Sequence, residues 1–538
     1  MTTESQRFID WLAAELFERG TRFAFGVPGG GISLDLLVAA QGAGIRTVIT
    51  AREDAAAMMG GVAGRLGNAP GLAFSTKGPG LASATNGLAS ALLDRMPLLF
   101  VAESFDAAEL VYLSHQVFDQ TALATGLFGD QAGGKAQVLQ TDAQTVAPAL
   151  DVLMSAPAGP ALLLADPRLV TSPVGELPSS SAPSTVVDAA AIERAKTLIA
   201  GARRPVIVAG LEATNPQTAA GVRDLAATLG APALVTYMAK GVVPDAHPNF
   251  AGIFTGGAIE QATVGAADVI ILAGLDPVEL IRKPWPYDAP VVDLCAHAHD
   301  PHYFEPAVRV AGHLAATLTS LAVQATGSAW RDAEIVGHRK TFLDGMAMAV
   351  DDSLTADAVV REIGQACAFV PRLTVDAGAH MFSACAFWQA REPLDVLISN
   401  GLASMGFALP AAIAAALHDP ERGAVAMTGD GGLLMCLGEL KTAAALDLNL
   451  TVVVFNDARL SLIDIKREER QLQDLGLSWE TPDFARAAEG FGFTTWKADN
   501  LTELRQAATA AAAQEGPCLI DARIDASGYR PQLRALRG

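Results

Sequence analysis

The stretch 429–457 reads GDGGLLMCLGELKTAAALDLNLTVVVFND and places one aspartate after each of two apolar runs. The first run, GAVAMT, ends just before Gly429 and Asp430, and the second, NLTVVVF, ends just before Asn456 and Asp457. If the runs are neighbouring parallel strands joined by one right-handed crossover, both carboxylates emerge at the carboxyl edge of a sheet. Open α/β sheets bind ligands at that edge. The stretch therefore predicts an α/β fold with a ligand site at the two aspartates.

The same alternation of short apolar runs and Ala-rich helical stretches continues along the chain. Runs such as PLLFVAE, RPVIVAG and DVIILAG are typical of buried parallel strands with helical crossovers. A Pro/Ser-rich linker at 171–187 and a charged helical stretch at 325–353 interrupt the pattern. We therefore expect an α/β protein with three doubly wound parallel-sheet domains, at 1–170, 188–325 and 354–538.

Two segments share the order strand, Gly-rich loop, helix, strand. They are GLAFSTKGPGLASATNGLASALLDRMPLLFVAES near the start and GAVAMTGDGGLLMCLGELKTAAALDLNLTVVVFND near the end. This similarity predicts that the first and third domains have related structures.

Composition excludes several classes of protein. The 538 residues are 51% hydrophobic and 18% charged, which is typical of a globular protein of several domains. A formal net charge of −20 opposes binding to nucleic acid or anionic lipid. Five scattered cysteines without metal-ligand spacing favour a reducing cytoplasm. The start MTTESQRFIDWLAAEL lacks a secretory signal pattern, and the longest apolar stretch, GFALPAAIAAAL, is shorter than the roughly 20 residues of a membrane span.

Asp430 and Asp457 favour a metal–phosphate site. Glycines beside Asp430 allow close approach of the backbone, and a following helix start offers amides to a phosphate. Two carboxylates next to a phosphate are suited to Mg²⁺, which prefers oxygen ligands. The alternative is a capping aspartate followed by a turn aspartate, and the spacing alone leaves both interpretations open.

The motif GDG, then a helix and a strand, then Asn-Asp resembles the diphosphate-binding motif of thiamine diphosphate (ThDP) enzymes. The separation of the two aspartates, 457 − 430 = 27 residues, matches that motif. The resemblance implies that Asp430 and Asp457 ligate Mg²⁺ through their side chains and Arg459 through its backbone carbonyl. It also implies that the ThDP diphosphate lies against a set of glycines, Gly429, Gly431 and Gly432.

Two further segments resemble parts of the same family. VITAREDAAAMMGGVAGRLG resembles the segment whose glutamate protonates the aminopyrimidine ring of ThDP, which implies that Glu53 is catalytic and contacts the cofactor. GLASMGFALPAAIAA resembles the segment whose large apolar residue, here Met405, holds ThDP in a bent shape. From the residues alone, Glu53 also fits a first-turn acid that complements a helix dipole, and Met405 fits core filling.

The first domain resembles the acetohydroxyacid (acetolactate) synthase branch of this family. The segment FGVPGGG contains Gly29 and Gly30, which the resemblance places at the cofactor, and it is followed by KGPGLASATNGLASALLDRMPLLFV. SHQVFDQTALAT aligns with the substrate-side segment, which implies that Gln116, with His115 and Phe118, lies over the thiazolium ring. A single loop histidine is more often a surface residue.

Several positions depart from this branch. GLDPVELIRKPW lacks the arginine of the flavin-binding members, which disfavours bound FAD. Lys77 replaces the small residue usual before Gly-Pro-Gly, and the basic residue expected after Gln116 is absent. LSLIDIKREERQLQDLG lacks the aromatic residue that selects a second 2-oxo acid, which disfavours a role in branched-chain biosynthesis.

The predicted function is therefore that of a ThDP- and Mg²⁺-dependent transferase or lyase. It forms or cleaves a carbon–carbon bond of a 2-oxo acid or 2-hydroxy ketone and is acetolactate synthase-like. The alternatives are a simple 2-oxo acid decarboxylase or hydroxy-ketone lyase, a catalytically silent nucleotide-binding regulatory subunit, and a flavin oxidoreductase. The resemblance also implies a homodimer or homotetramer in which Glu53 of one subunit faces the diphosphate site of another.

Overall fold

A computed structural model describes residues 6–106, 108–129, 136–174, 187–280, 284–299, 304–321, 327–348 and 353–538. Most of the linker predicted at 171–187 lies outside this range. The described part contains three six-stranded sheets, and the strand pairs whose register is defined within them are parallel. The α/β fold class with three parallel sheets is confirmed.

The first sheet has the strand order β2-β1-β3-β4-β6-β5. Its strands are β1 Phe23–Val27, β2 Arg46–Ile49, β3 Gly71–Ser75, β4 Leu98–Glu103, β5 Gln137–Gln140 and β6 Pro160–Ala165. Its helices are α1 Phe8–Glu18, α2 Ile32–Ala43, α3 Glu53–Gly67, α4 Pro79–Leu93, α5 Gln120–Phe128 and α6 Ala143–Met154. Every residue of β3, β4 and β6 is buried, as expected for central parallel strands.

Helix α3 packs closely on the first sheet because it is rich in glycine. A Cβ atom on Gly64 would lie 2.4 Å from the carbonyl oxygen of Pro97, and one on Gly60 would lie 2.8 Å from Leu98. These glycines let the helix backbone approach the strands and hold its first residue, Glu53, against the carboxyl edge of the sheet.

The second sheet has the order β12-β11-β10-β7-β8-β9. Its strands are β7 Pro205–Ala209, β8 Ala233–Val235, β9 Phe250–Ile253, β10 Val269–Ala273, β11 Val291–Cys295 and β12 Val308–Ala311. The helices nearby in sequence are α7 Ala189–Gly201, α8 Pro216–Leu229, α9 Gln261–Val264, α10 Leu314–Ser320 and α11 Asp332–Met346. Alternate residues of β7 enter two different core clusters, with Ile207 in one and Val206 in the other, so the sheet is covered on both faces.

The third sheet has the order β14-β13-β15-β16-β18-β17. Its strands are β13 Arg372–Val375, β14 Val396–Ile398, β15 Ala424–Gly429, β16 Leu450–Asn456, β17 Thr494–Ala498 and β18 Cys518–Arg523. The remaining helices are α12 Ala356–Ala366, α13 His380–Phe387, α14 Ala408–His418, α15 Asp430–Cys436, α16 Glu439–Ala445, α17 Ser461–Glu469, α18 Phe484–Glu489, α19 Leu501–Ala512 and α20 Tyr529–Arg537. The two apolar runs that flank the 429–457 stretch form the neighbouring strands β15 and β16, as predicted.

The crossover between β15 and β16 differs from the single helix that the sequence suggested. It forms two short helices, α15 and α16, with a break at Leu437 and Gly438. A Cβ atom on Gly438 would lie 2.9 Å from the Cβ of Ala51, so a small residue is needed at this close approach.

The first and third sheets have the same topology. When the strands of each sheet are numbered from its own first strand, both orders are 2-1-3-4-6-5. The predicted structural relation of the first and third domains is therefore present in the strand order. The second sheet has a different order.

The chain divides into two compact units. One contains the first sheet together with residues 401–423 and 436–450, which include α14 and α16. The other contains the second and third sheets with residues 424–435. Among the described helices, none combines the length and apolar character that crossing a lipid bilayer requires.

Candidate functional site

Three aspartates lie at the carboxyl edge of the third sheet. Asp376, Asp430 and Asp457 directly follow β13, β15 and β16, which are consecutive strands in the sheet order. The sequence predicted two of them and missed Asp376, although it also follows an apolar run, RLTV. Asp376 is fully buried and accepts a hydrogen bond of 2.5 Å from the hydroxyl of Thr428. It therefore anchors the end of the strand that leads to Asp430.

Asp430 is a buried carboxylate with an unusual protonation equilibrium. Its oxygens accept hydrogen bonds from the amides of Gly431, at 2.7 Å, and Arg459, at 3.2 Å. Burial, with the charge of Asp457 as the second cause, raises the pKa of Asp430 to about 7. Burial also raises the pKa of Asp457, whose carboxylate accepts a hydrogen bond from Ser461. A divalent cation would stabilise this pair of like charges.

The first turn of α15, which begins directly after β15, requires its glycine at position 432. A Cβ atom on Gly432 would lie 2.2 Å from a carboxylate oxygen of Asp376. A Cβ atom on Gly429 would meet the ring of His380 at 3.4 Å. Of the three glycines expected to face a diphosphate, Gly429 is half-buried, whereas Gly431 and Gly432 are buried.

His380 is a residue of this edge that sequence reasoning missed. It is the first residue of α13, and its ring stacks on Phe455 with 5.1 Å between centroids. Burial lowers the pKa of His380 to about 4, so the imidazole is neutral at pH 7. Within the described ranges its Nε2 atom has no hydrogen-bond partner. A neutral imidazole carries a single N–H, and the backbone of Met427 interacts with this ring, so the unpartnered Nε2 is an acceptor beside Gly429.

Arg459 lies at the turn that follows β16. Its amide donates to Asp430, and its guanidinium donates to Asp464 at 2.9 Å. The preceding residue, Ala458, has a positive φ of 55°. This left-handed turn directs the Arg459 amide towards Asp430, while the predicted role of its carbonyl as a metal ligand stays a prediction.

The first sheet presents a second group of candidate residues at its own carboxyl edge. Glu53, the first residue of α3, is half-buried. The amides of Ala51 and Arg52, just before it, both donate to Oε1 of Glu439 at 3.0 Å. Glu439 is fully buried, and burial raises its pKa to about 7. Sequence reasoning missed Glu439, which fixes the turn that carries Glu53.

The FGVPGGG loop follows β1 at the same edge. A Cβ atom on Gly29 would lie 2.2 Å from Oγ1 of Thr76, and one on Gly31 would lie 2.5 Å from Oε1 of Glu103, whereas Gly30 faces open space. The unusual Lys77 after β3 forms an ion pair of 3.4 Å with Glu103, whose side chain is 6% exposed. A lysine and a buried glutamate thus lie beside the glycine loop.

Gln116 and His115 both lie on an exposed turn near this edge. Gln116 has a positive φ of 63°, and its carbonyl oxygen would be 2.5 Å from a Cβ atom on Gly78, so the turn rests against the start of α4. Phe118 is half-buried. No described contact distinguishes His115 from an ordinary surface histidine.

Met405 belongs to the same compact unit as Glu53. It is half-buried and follows Ser404, whose hydroxyl accepts a 3.1 Å hydrogen bond from the Asn86 side chain on α4. This contact fixes the loop that carries Met405.

Three family models match the chain in succession. They are the N-terminal thiamine pyrophosphate (TPP) binding domain at residues 6–123, the central domain of TPP enzymes at 192–321 and the C-terminal TPP binding domain at 376–522. Thiamine pyrophosphate is another name for ThDP. The chain therefore belongs to the thiamine pyrophosphate enzyme family, as the sequence predicted.

Curated relatives place the chain near the acetolactate synthase branch. It is 27% identical to an acetolactate synthase of Bacillus subtilis, with 95% of this chain and 92% of the relative covered. It is 26% identical to a catabolic acetolactate synthase of Raoultella terrigena, with 96% and 94% covered. It is also 27% identical to a probable 2-ketoarginine decarboxylase of Pseudomonas aeruginosa, with 94% and 91% covered. The chain is a ThDP-dependent enzyme of the transferase or lyase type, and the predicted class of chemistry is confirmed.

Proposed function

We propose that the protein is a ThDP- and Mg²⁺-dependent enzyme that forms or cleaves the bond between a carbonyl carbon and its neighbour in a 2-oxo acid, with acetolactate synthase-like ligation as its main reaction. One observation carries the proposal: two carboxylates, Asp430 and Asp457, follow adjacent strands beside the glycines at the start of α15, and the pKa of Asp430 is raised to about 7. This combination is suited to a hard divalent cation that also binds a phosphate.

The donor set at the third sheet fits Mg²⁺ and a diphosphate. Asp430 and Asp457 would ligate the ion through side-chain oxygens, and Arg459 through its backbone carbonyl. Gly429, Gly431 and Gly432 would lie against the diphosphate, and the ring of His380 would line the side of the site next to Gly429. Bound ThDP supplies the electron sink for the reaction, and these residues orient it.

Glu53 would hold a proton at the aminopyrimidine ring of ThDP. A carboxyl group in hydrogen-bond reach of a ring nitrogen can pass a proton to it and back. Glu439 acts through Glu53 as a positioning residue, because it accepts both amides of the turn that begins α3. Met405 would support the bent shape of the cofactor.

Residues of the first sheet's edge would contact the substrate. Gln116 and His115 lie on an exposed turn there, while Gly29 and Gly30 form the neighbouring loop. Lys77 is a cation at this edge, and its ammonium group offers further N–H donors beyond its pair with Glu103. It would attract the carboxylate that every 2-oxo acid carries.

A decarboxylase is the second candidate. It is supported by the 2-ketoarginine decarboxylase among the relatives, which matches this chain as closely in identity as the Bacillus enzyme does. In a decarboxylase the fragment that remains after CO₂ loss takes up a proton, whereas in a synthase it is joined to a second carbonyl compound. A silent regulatory subunit is disfavoured, because Glu53, Met405, Asp430 and Asp457 are all retained.

The proposed assembly is a cytoplasmic homodimer or homotetramer of three-domain subunits, with domains at 1–170, 188–325 and 354–538. Two exposed apolar side chains, Leu434 and Met435, support it because they lie in α15, just after its glycines, with 48% and 57% of their surface exposed. A partner subunit carrying Glu53 would cover such residues and complete the site. The proposed substrate is a small 2-oxo acid or hydroxy ketone, and FAD is not a proposed cofactor.

The test is a pyruvate turnover assay with ThDP and Mg²⁺ added and withheld, in which CO₂ and the organic product are both measured. Cofactor-dependent acetolactate supports the synthase, and cofactor-dependent acetaldehyde supports the decarboxylase. Turnover of pyruvate that is unchanged without ThDP and Mg²⁺ would contradict both. Hydroxy ketones such as acetoin, supplied in place of pyruvate, identify the lyase reaction.

A further inference from the structure

The second sheet has a reversal of strand order, and the sequence assigned no ligand to that point. From β7 the chain continues to β8 and β9 on one side, while β10, β11 and β12 extend on the other side. The strand order therefore reverses between β7 and β10. In open α/β sheets, ligands bind in the crevice that such a reversal forms outside the carboxyl ends of the strands.

Three potential metal ligands converge in this crevice. Glu212, Asp276 and His297 follow β7, β10 and β11, which are adjacent strands. Their ligand atoms all lie within 4.8 Å of one another. Glu212 Oε1 and His297 Nδ1 face each other at 2.5 Å, yet within the described residues neither atom has a partner in hydrogen-bond geometry.

The crevice is shielded from water but can be reached from it. The side chain of Glu212 is 8% exposed and that of His297 is 14% exposed, while Asp276 is buried. Two oxygens of the cluster are already oriented by the backbone. The amide of Ala296 donates to Glu212 Oε2 at 2.7 Å, and the amide of Val278 donates to Asp276 Oδ1 at 2.9 Å. Such outer hydrogen bonds are what hold carboxylate ligands in place around a metal.

The charge of the cluster decides which ligand it suits. Two carboxylates in a shielded crevice oppose the diphosphate of a nucleotide and require a positive counter-charge. An imidazole together with carboxylates suits divalent first-row ions such as Zn²⁺, and three protein ligands leave a coordination position for water. We propose that Glu212, Asp276 and His297 form a binding site for a divalent transition-metal ion of the zinc type, separate from the cation expected at Asp430 and Asp457.

A neighbouring trio provides a matched control. Asp293, Cys295 and His299 also offer ligand atoms within 4.8 Å of one another. Here, however, Asp293 already has a cationic partner, because Arg309 Nε donates to it at 2.8 Å. His299 lies close to His297, with 5.7 Å between ring centroids. Substitution of His299 thus perturbs the same region without removing a proposed ligand.

The test measures zinc bound to the full-length protein. The protein is saturated with ThDP and Mg²⁺, equilibrated with Zn²⁺, freed of excess ion and analysed for zinc per chain by elemental analysis. We expect one zinc per chain in the unmodified protein and in His299→Gln. We expect at least tenfold weaker zinc binding in His297→Gln and in Glu212→Gln, whose folding is checked by thermal melting.

Further variants separate this site from the cofactor site. The double variant Asp430→Asn and Asp457→Asn should retain its zinc, whereas loss of zinc there would assign the ion to the third sheet and overturn the proposal. Unmodified protein without bound zinc, or His297→Gln with full zinc binding, would also overturn it. If Glu212→Gln does not fold, Co²⁺ titration of His297→Gln and His299→Gln decides, because the visible bands of bound Co²⁺ should be lost only in the former.

Discussion

The first and third sheets have the same strand order, yet their carboxyl edges carry different chemistry. In the third sheet, aspartates follow three consecutive strands, and the pKa of Asp430 is raised to about 7. In the first sheet, Glu53 begins a helix and glycine loops dominate the neighbouring strand ends. Topology thus determines where a ligand can lie, while the loops determine whether the edge binds a cation and phosphate or exchanges a proton.

Proton transfer is expected at the edge of the first sheet. Glu53→Gln tests this expectation and should give the largest loss of kcat. Gln cannot donate and accept a proton in turn, so kcat should fall by about 10² to 10⁴-fold. Because the proposed anchoring groups are on the third sheet, ThDP and Mg²⁺ retention should change little. Steady-state kinetics and cofactor content of the purified protein measure the two quantities.

The control for Glu53 is Asp54→Asn, in the same first turn of α3. Its kcat should stay within about threefold of the unmodified enzyme, because Asp54 is half-buried, pairs with Arg52 at 3.0 Å, and contributes only a fraction of a kcal/mol through the helix dipole. If both variants lose the same activity, or Glu53→Gln keeps full activity, the two edges are not divided in function as proposed.

Asp430→Asn should have the opposite pattern to Glu53→Gln, with a large loss of cofactor affinity and a smaller loss of activity. Loss of one charged ligand should weaken Mg²⁺-dependent ThDP binding by roughly a hundredfold, or about 3 kcal/mol. At saturating ThDP and Mg²⁺, part of the activity should return, because Glu53 is intact. Isothermal titration of ThDP in the presence of Mg²⁺ measures the affinity.

Asp447 is an exposed acid in the same crossover and provides the control. The Asp447→Asn variant should bind ThDP normally. An equal loss of affinity in this variant would contradict a specific ligand role for Asp430.

The parts of the site that the sequence predicted are those that local order determines. A right-handed crossover between two strands places Asp430 and Asp457 at one edge regardless of the rest of the fold. The repeated order of strand, loop and helix likewise predicted the shared topology of the first and third sheets. Both conclusions need only neighbouring segments of the chain.

The residues that were missed depend on pairings between distant segments. Asp376 joins the site because β13 pairs with β15 rather than only with β14, which no local pattern indicates. His380 follows from the same pairing, since α13 begins just after β13. Glu439 accepts the amide of Ala51, a residue 388 positions away in sequence. Such contacts arise from packing of helices and loops that single-sequence patterns do not encode.

A divalent cation is expected only at the third sheet, and its affinity for that edge should depend on pH. The pKa of Asp430 is raised from 3.8 to about 7, so without a cation its contribution to stability is full below about pH 4 and is lost as the pH rises through 7. A cation competes with the proton. Its affinity should therefore rise about tenfold per pH unit below 7 and level off above it.

Mn²⁺ without ThDP is a suitable probe of this dependence, because the cofactor's own phosphate groups do not then titrate. Its dissociation constant is measured by electron paramagnetic resonance between pH 5 and 8. In Asp430→Asn the dependence should be flatter and the binding weaker. A steep dependence that persists in the variant would mean that another group controls the cation.

Substitution of Glu439 should have the smallest effect on activity, because Glu439 positions the turn before Glu53 and is not expected to contact substrate or cofactor. In Glu439→Ala the amides of Ala51 and Arg52 lose their acceptor, which should cost about 1 to 3 kcal/mol of stability and lower kcat several-fold through Glu53. Glu439→Gln keeps one acceptor oxygen and should retain most of kcat.

Glu439 also makes the stability of the protein depend on pH. Its pKa is raised from 4.5 to about 7, so its contribution to stability is present at low pH and is lost as the pH rises through 7. The Glu439→Gln variant should lack this dependence. Melting temperatures from pH 5 to 8 and kcat measure both effects, with exposed Glu421→Gln as the control. If Glu439→Ala leaves both quantities unchanged, the turn before Glu53 is positioned by other contacts, and the first edge depends on its own loops alone.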